Sequence, residues 1–402
     1  MKRHTFLALL LLTASVLYGA SPLGSFLKSK SIAPGSTAVI VQDLRTGETL
    51  VSHNADRPLL PASIMKTVTI AGLLQEQGPD ERFHTMVFAD GPIEGDAIEG
   101  DLLIVGGGDP TLGANCAPES ADIAEEIIAA LRHKGISAIN GNLRIDTSLY
   151  EGPACPPSWG AGDLNEAYGT GSHALNFRRN AAGSRAVRNP ESTFLTYLSS
   201  RLRGAGIDIK GNAASGKEGL TDKDATMLLD HVSDRYAEVM RSCMMRSDNL
   251  FAETLLRAFG LARGKAGATA AAADEMLSYW KMAGVPTEGV TLIDGSGLSR
   301  SNRVTANFIN GILQTMGDNE DYASFMPLAG QEGTLSSFLK DSPLDAYVAM
   351  KTGSMKGIQC YAGYKLDEQF APTHSIVIIM NDIGPRAAAR KAAEDLLLGI
   401  FE

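Results

Sequence analysis

The sequence has few basic residues and none of the usual metal-binding or cofactor-binding patterns. Lys and Arg number 36 against 46 Asp and Glu, which gives the 402-residue chain a formal net charge of −10 at pH 7. This acidic balance argues against a nucleic-acid partner and against binding to anionic lipid by charge. No Cys/His spacing resembles a metal site, and no H-E-x-x-H is present. We therefore expect neither a metal nor a cofactor.

Long apolar runs are also scarce. The run Phe6–Leu17, within Met1–Ala20, is too short to span a bilayer comfortably. Lys2 and Arg3 precede it and Gly19-Ala20 follows it, as in a cleavable secretory signal peptide. We expect a periplasmic or otherwise exported protein with no stable membrane span after cleavage. An uncleaved N-terminal anchor is the alternative.

Cysteine is rare, with four copies at positions 116, 155, 243 and 360. Cys116 and Cys155 lie in loop-like, proline-containing sequence, and in an exported protein we expect them to pair. Such a disulfide would contribute about 3–4 kcal/mol to stability. Cys243 and Cys360 have apolar neighbours, which predicts buried free thiols.

Strand-like segments cluster at the two ends of the mature chain. Five are predicted: Thr37–Leu44, Glu48–Ser52, Tyr347–Lys351, Gln359–Lys365 and His374–Met380. The first two and the last three can share one sheet covered by helices, which makes the fold class α+β. We also expect a helix to begin near Ser63 and another to run over His231–Met245.

The middle of the chain, residues 82–230, is predicted to be an inserted α+β domain. It contains a strand-like segment at Asp101–Val105 and an amphipathic helical pattern at Ala121–Lys134. Gly106-Gly107-Gly108 resembles a phosphate-binding loop, but no helix follows directly, so we interpret it as a tight structural turn. The main domain would then consist of residues 21–81 and 231–402, with the insertion overhanging one end.

A serine and a lysine stand three residues apart in Ser63-Ile64-Met65-Lys66. On a helix this spacing places both side chains on one face. A serine hydroxyl becomes a nucleophile when a nearby base accepts its proton, and a lysine can do so if burial lowers its pKa. The pattern is weak alone, because it recurs at Ser25/Lys28, Ser278/Lys281 and Ser337/Lys340.

Two further motifs follow in order, Ser247-Asp248-Asn249 and Lys351-Thr352-Gly353. Each has an ordinary explanation, since Ser and Asn commonly cap helices and Lys-Thr-Gly can simply end a strand. A second Ser-x-Asn occurs at Ser52-His53-Asn54. All three motifs in this order, each on a suitable element, nevertheless form a specific signal.

With these motifs the sequence resembles the serine penicillin-binding enzymes, most closely the low-molecular-mass class C D-alanyl-D-alanine carboxypeptidases/endopeptidases. Further stretches carry the resemblance: Gly106–Leu112, Asp146-Thr147-Ser148, Asp294–Arg300 and Gly330–Leu335. The resemblance implies a β-lactamase/transpeptidase-like fold, with an antiparallel five-stranded sheet flanked by helices. It also implies an insertion between the first two motifs.

The resemblance implies acyl transfer on peptidoglycan stem peptides. Ser63 would attack the D-Ala-D-Ala carbonyl while Lys66 takes its proton. Ser247 would relay a proton to the leaving amine, and Asn249 would hydrogen-bond the substrate amide. β-Lactam antibiotics would acylate Ser63 and act as covalent inhibitors.

The same resemblance assigns the substrate-binding residues. Lys351 would lower the pKa of Lys66. Together with Thr352, it would also hold the terminal carboxylate of the substrate. Gly353 is the third member of this Lys-Thr-Gly motif. The backbone N–H groups of Ser63 and Ser354 would form the oxyanion hole. Arg300 and Asp146 would bind charged groups of the stem peptide. For each of them, the alternative is a structural salt bridge.

Other functions stay open at this stage. A β-lactamase would need a deacylating base, and no glutamate has a convincing setting for one. A Ser-x-x-Lys esterase would not need Lys351-Thr352-Gly353. A non-catalytic penicillin-binding sensor or wall-binding scaffold would lack turnover. Only Arg178–Asn189 stands where many class C members carry a second inserted domain, so the balance of carboxypeptidase and endopeptidase action is left unpredicted.

Overall fold

The computed structural model describes residues 21–114 and 122–402. Its strands are β1 Thr37–Asp43, β2 Thr49–His53, β3 Arg82–Asp90, β4 Ile93–Glu94, β5 Ala97–Ile98, β6 Asp101–Val105, β7 Ala138–Ile139, β8 Leu143–Asp146, β9 Ala181–Ala182, β10 Arg185–Ala186, β11 Asp208–Ile209, β12 Ala213–Gly216, β13 Thr226–Arg235, β14 Val348–Met355, β15 Ile358–Leu366 and β16 Pro372–Asn381. Its α-helices are α1 Pro22–Leu27, α2 Met65–Gln77, α3 Ile123–His133, α4 Pro190–Gly204, α5 Tyr236–Arg246, α6 Asn249–Ala262, α7 Thr269–Met282, α8 Ala306–Thr315, α9 Glu320–Ser324 and α10 Arg386–Phe401.

One sheet joins the two ends of the chain in the order β14-β15-β16-β1-β2, with every neighbouring pair antiparallel. These are the strands expected from the sequence, and the predicted α+β class with an antiparallel five-stranded sheet is confirmed. The sheet is buried on both faces because its side chains alternate between two cores. Ala38 and Ile40 of β1 enter the core with α2, α6, α7 and α8, whereas Val39 and Val41 enter the core with α1 and α10.

A second five-stranded sheet has the order β12-β8-β6-β3-β13. Strands β12, β8 and β6 run parallel, and β3 and β13 complete the sheet in antiparallel pairs. Helices α3 and α4 cover it through a separate apolar core that includes Ile127 and Leu198. A smaller sheet, β11-β7-β5-β4, and the hairpin β9–β10 complete this part of the chain.

The helix expected over His231–Met245 is wrong for residues 231–235, because strand β13 extends to Arg235 and helix α5 begins at Tyr236. His231 and Val232 pair with Thr85 and His84 of β3, so ladder hydrogen bonds to a neighbouring strand override the local helical pattern. The division of the chain at residues 230 and 231 stays a proposal, and β13 crosses it.

The segment after β6 leaves no room for side chains, but the tight turn expected at Gly106-Gly107-Gly108 does not form. Instead, Gly106 N–H donates to the Asp146 carbonyl at 3.0 Å and Gly108 N–H donates to the Ala174 carbonyl at 2.6 Å, which holds this segment against neighbouring backbone. A Cβ on Gly107 would lie 1.7 Å from the carbonyl oxygen of His84, and one on Gly106 would lie 2.6 Å from that of Ala174. Gly108 has φ +79°, a left-handed conformation that favours glycine.

The expectations for the cysteines are met only in part. Cys243 and Cys360 are buried free thiols, as predicted. Cys116 lies outside the described residues, so its pairing with Cys155 stays a prediction, and so does the signal peptide at residues 1–20. Over residues 21–114 and 122–402, no helix combines the length and the apolar character needed to cross a membrane.

Replacing Gly107 with alanine should lower the free energy of unfolding by about 1–3 kcal/mol, because the methyl group would overlap a backbone carbonyl that cannot easily move. Gly162→Ala is the matched control, since Gly162 has φ −66° and its Cβ would meet no atom within 4 Å. We expect the control to stay within about 0.5 kcal/mol of the parent. Urea unfolding curves measure both, and equal midpoints for the two variants would contradict the requirement for glycine at position 107.

Candidate active site

Ser63 lies in a tight turn just before helix α2. The turn is a single 3₁₀ segment, Ala62–Ile64, and Ala62 adopts a left-handed conformation with φ +47°. Strand β14 passes directly against this turn. A Cβ on Gly353 would lie 2.6 Å from the Pro61 carbonyl oxygen and 3.1 Å from the Ser63 backbone nitrogen. Glycine in Lys351-Thr352-Gly353 is therefore what lets the strand approach the serine.

Lys66 is completely buried beneath Ser63. Its Nζ lies 3.1 Å from Ser63 Oγ, 2.7 Å from Asn249 Oδ1 and 2.8 Å from the Ser296 carbonyl oxygen. Burial lowers the pKa of Lys66, because a charged amine loses its hydration there. As a neutral amine it can donate two N–H bonds to Asn249 and Ser296 and turn its lone pair towards the hydroxyl of Ser63.

The Ser247 motif forms the turn between helices α5 and α6. Ser247 is left-handed, with φ 58°, and Asp248 caps α6 by accepting from the Phe251 backbone N–H at 3.3 Å. The middle residue of the motif therefore does the capping, and Asn249 is left to contact Lys66. Asn249 Nδ2 also donates to the Tyr168 carbonyl oxygen at 2.8 Å.

Lys351 is the second fully buried lysine of the site. Its Nζ donates to the Thr352 carbonyl oxygen at 2.7 Å, and Thr352 Oγ1 lies 2.8 Å from Thr334 Oγ1. Burial and then the charge of Lys66 lower the pKa of Lys351 well below its usual value. The charge of Lys66 therefore disfavours the ammonium form of Lys351.

The remaining predicted residues occupy the margins. Ser354 is exposed on β14 opposite Gln359. Arg300 is exposed at the end of the loop Asp294–Arg300. Asp146 is buried at the end of β8, where its carboxylate accepts from the backbone N–H and the hydroxyl of Ser148 at 2.8 and 3.0 Å. Within the described residues neither Arg300 nor Asp146 makes a salt bridge.

A buried glutamate was missed by the sequence reasoning. Glu253 stands one helical turn after Asn249 on α6, and its Oε1 accepts from the backbone N–H groups of Gly295 and Ser296 at 3.1 and 2.8 Å. It thereby holds the peptide whose carbonyl binds Lys66. Glu253 Oε2 is buried without a hydrogen-bond partner. Burial, and next the charge of Asp294, raise the pKa of Glu253 to about 8. Its i,i+4 spacing from Asn249 was the available signal.

Asp294 shapes the loop that carries Ser296. Its carboxylate accepts from four donors at 2.6–2.8 Å: the backbone N–H groups of Gly297 and Ser299, Asn302 Nδ2 and Trp159 Nε1. Four donors around one carboxylate leave the loop little freedom. Trp159 belongs to the middle segment of the chain, so this segment helps to support the site.

The middle segment also contacts the Ser247 motif directly. Tyr168 supplies the carbonyl that Asn249 binds, and Arg179 makes an ion pair with Asp248. Asp248 is almost fully buried and uses one carboxylate oxygen for the helix cap and the other for Arg179. Both contacts tie the turn that carries Ser247 to residues outside its own helices.

Comparison with known proteins gives a consistent result over most of the chain. The family described as D-Ala-D-Ala carboxypeptidase 3 (S13) matches residues 21–183 and 178–397. A relative named D-alanyl-D-alanine carboxypeptidase, from Actinomadura sp. (strain R39), is 26% identical over 85% of this chain and 77% of its own length.

Solved structures show the same fold. The crystal structure of penicillin binding protein 4 (dacB) from Haemophilus influenzae superposes with a TM-score of 0.84 at 21% identity, covering 94% of this chain and 99% of that one. A second crystal structure of that protein, complexed with a β-lactam, gives a TM-score of 0.75 at 23% identity, covering 91% and 96%.

Replacing Glu253 with glutamine should move the pH dependence of Ser63 acylation to lower pH. Above about pH 8 the ionised Glu253 favours the ammonium form of Lys66, and acylation needs the neutral amine. Glutamine keeps an acceptor for Gly295 and Ser296 but cannot ionise, so the rise in rate should occur about one pH unit lower. Stopped-flow acylation by a chromogenic penicillin measures it.

Glu48→Gln, at an exposed turn position, is the matched control and should leave the profile in place. An unmoved profile for Glu253→Gln would show that this carboxyl group does not influence the amine, and a profile displaced to higher pH would contradict the expected sign of its effect.

Proposed function

Because this chain belongs to the D-Ala-D-Ala carboxypeptidase 3 (S13) family, we propose that Ser63 is the nucleophile with which it hydrolyses D-alanyl-D-alanine peptides. The observation that supports this assignment best is the buried amine of Lys66, 3.1 Å from Ser63 Oγ and held by acceptors from two other segments. Such an arrangement is what an activated serine requires.

Acylation uses the neutral form of Lys66. Ser63 Oγ attacks the carbonyl carbon of the penultimate D-alanine while its proton passes to Lys66 Nζ. Asn249 Oδ1 and the Ser296 carbonyl fix the orientation of the amine, so the lone pair faces the hydroxyl. Asn249 therefore has a positioning role besides contacting the substrate amide, for which its Nδ2 retains a second hydrogen.

Collapse of the tetrahedral intermediate requires a proton on the leaving nitrogen. Lys66 returns the proton through Ser247 Oγ, and the C–N bond breaks to release D-alanine. The backbone N–H groups of Ser63 and Ser354 stabilise the oxyanion, each by roughly 3–4 kcal/mol. Lys351 and Thr352 bind the terminal carboxylate, and water then hydrolyses the acyl-enzyme.

The β-lactamase alternative gains no support from the site. Glu253 is the buried glutamate next to the Lys66 network, and its side chain is wholly enclosed, with one oxygen on the loop backbone. It cannot reach a water molecule on the exposed side of an acylated Ser63. β-Lactams should therefore form a long-lived acyl-enzyme, as expected of a penicillin-binding carboxypeptidase.

The wider assignments follow from the same proposal. The substrate is a peptidoglycan stem peptide, with Arg300 and Asp146 at its charged end. The protein acts after export, once residues 1–20 are removed. Residues 21–81 and 231–402 form the catalytic domain, and residues 82–230 form an insertion that supports the Ser247 turn through Tyr168 and Arg179.

Ser63→Ala should abolish covalent labelling by fluorescent penicillin and lower D-alanine release from a pentapeptide by roughly 10⁴-fold or more. Ser278→Ala is the matched control, because Ser278 has a lysine three residues later but lies exposed on α7. Gel fluorescence and mass analysis of the peptide products measure both. Full labelling of Ser63→Ala would refute the assignment, and labelling without D-alanine release in the parent would favour the sensor alternative.

A further inference from the structure

A threonine outside the three motifs lies next to strand β14. Thr334 belongs to the 3₁₀ turn Gly333–Leu335, and it is exposed. Its Oγ1 accepts a hydrogen bond from Thr352 Oγ1 at 2.8 Å. A threonine hydroxyl that accepts one bond still has its own hydrogen to donate. Among the described residues, no group accepts that hydrogen, so Thr334 can donate it to a ligand.

The two residues to which the proposed function assigns the terminal carboxylate already have acceptors within the protein. Lys351 is completely buried, and its Nζ donates to the Thr352 carbonyl oxygen at 2.7 Å. Thr352 is half-buried, and its hydroxyl hydrogen points to Thr334. Of these three residues, Thr334 is the one that is exposed and whose hydroxyl hydrogen is uncommitted.

Donation from Thr352 makes Thr334 a better hydrogen-bond donor than an isolated hydroxyl. A group that accepts a hydrogen bond is polarised by it, which strengthens the bond that the same group donates. A carboxylate gains most from such a donor, because hydrogen bonds to ionised groups are roughly twice as strong as those between neutral groups. The pair of hydroxyls therefore suits an anionic group placed beyond Thr334.

The turn that carries Thr334 is fixed by its own side chains. Glu332 makes an ion pair with Arg241 of α5, with 3.1 Å between Oε1 and the guanidinium nitrogen. Gln331 Nε2 donates to Asp345 Oδ1 at 2.7 Å. These contacts hold the residues just before Thr334 on two sides. A donor that is already held in place lowers the entropy cost of binding a ligand.

The same turn lies between the second and third motifs. A Cβ on Gly333 would lie 2.7 Å from the carbonyl oxygen of Met245, which stands two residues before Ser247. On its other side the turn contacts β14 through Thr334 and Thr352. In the proposed function, on which this inference rests, Ser247 serves the leaving nitrogen and Thr352 the terminal carboxylate. Both groups belong to the departing D-alanine, so Thr334 lies on the leaving side of the substrate.

We propose that Thr334 is a further substrate-binding residue, whose hydroxyl donates a hydrogen bond to the terminal carboxylate of the substrate. Thr352 supports this contact by donating to Thr334. The contact favours substrates that end in a carboxylate over acyl donors that lack one. It forms and breaks no covalent bond, so its loss weakens the use of such substrates and leaves the chemistry at Ser63 in place.

The test compares two acyl donors in Thr334→Val, which keeps the shape of the side chain and removes the hydroxyl. A pentapeptide ending in D-Ala-D-Ala carries the carboxylate. The p-nitrophenyl ester of the same peptide without its last residue lacks it, yet forms the same acyl-enzyme. We expect kcat/KM for the pentapeptide to fall about tenfold or more, because a hydrogen bond to a charged group is lost. For the ester it should change by less than about threefold. D-Alanine release and nitrophenolate absorbance measure the two.

Three further variants sharpen the comparison. Thr334→Ser keeps the hydroxyl and should recover most of the pentapeptide activity. Thr334→Ala removes the hydroxyl without placing a second methyl group in the turn, and it should show the same difference between the two substrates as Thr334→Val. Thr49→Val makes the matched substitution at an exposed position of β2, at the opposite end of the sheet order from β14, and should match the parent on both substrates.

The outcomes separate this proposal from the proposed function. Equal losses on both substrates in Thr334→Val and Thr334→Ala, no loss on the pentapeptide, or a parent enzyme that releases no D-alanine would each overturn the role of Thr334. Those results leave the nucleophile assignment intact as long as penicillin still acylates Ser63. A parent enzyme that penicillin does not acylate at Ser63 would overturn the proposed function itself.

Discussion

The burial of one amine is the constraint on which the rest of this structure depends. Lys66 contacts a hydroxyl from its own turn, an amide oxygen from α6 and a backbone carbonyl from the Asp294 loop. A buried amine without such partners would be strongly destabilising, so the three segments must meet at one point. The same dehydration that makes the amine costly to bury lowers its pKa and makes it useful as a base.

The fold satisfies this constraint from both ends of the chain. The central sheet brings β14 from the C-terminal region against the turn that carries Ser63, and only a glycine at position 353 permits the approach. The middle segment then holds the Ser247 turn from outside through Tyr168 and Arg179. Most of the chain is therefore involved in positioning three short motifs. This agrees with the family match, which also extends over most of the chain.

Sequence reasoning found the parts of the site that depend on local spacing. Five strands followed from composition, and Ser63 and Lys66 followed from a three-residue interval on a helix. It did not find Glu253, the hydrogen bond from Trp159 to Asp294 or the Arg179 ion pair, because each joins residues that are far apart in the chain. It also placed a helix start at His231, since strand pairing with β3 cannot be read from the residues of β13 alone.

Two backbone positions at the candidate active site are held in a conformation that non-glycine residues avoid. Ala62 precedes the nucleophile and Ser247 carries a motif hydroxyl, and both are left-handed. Such residues typically cost roughly 1–2 kcal/mol each. Selection for thermal stability alone would therefore favour substitutions at these two positions. The stabilised variants would lose the backbone geometry that turnover needs. For this enzyme, selection for robustness has to be coupled to an assay of chemistry.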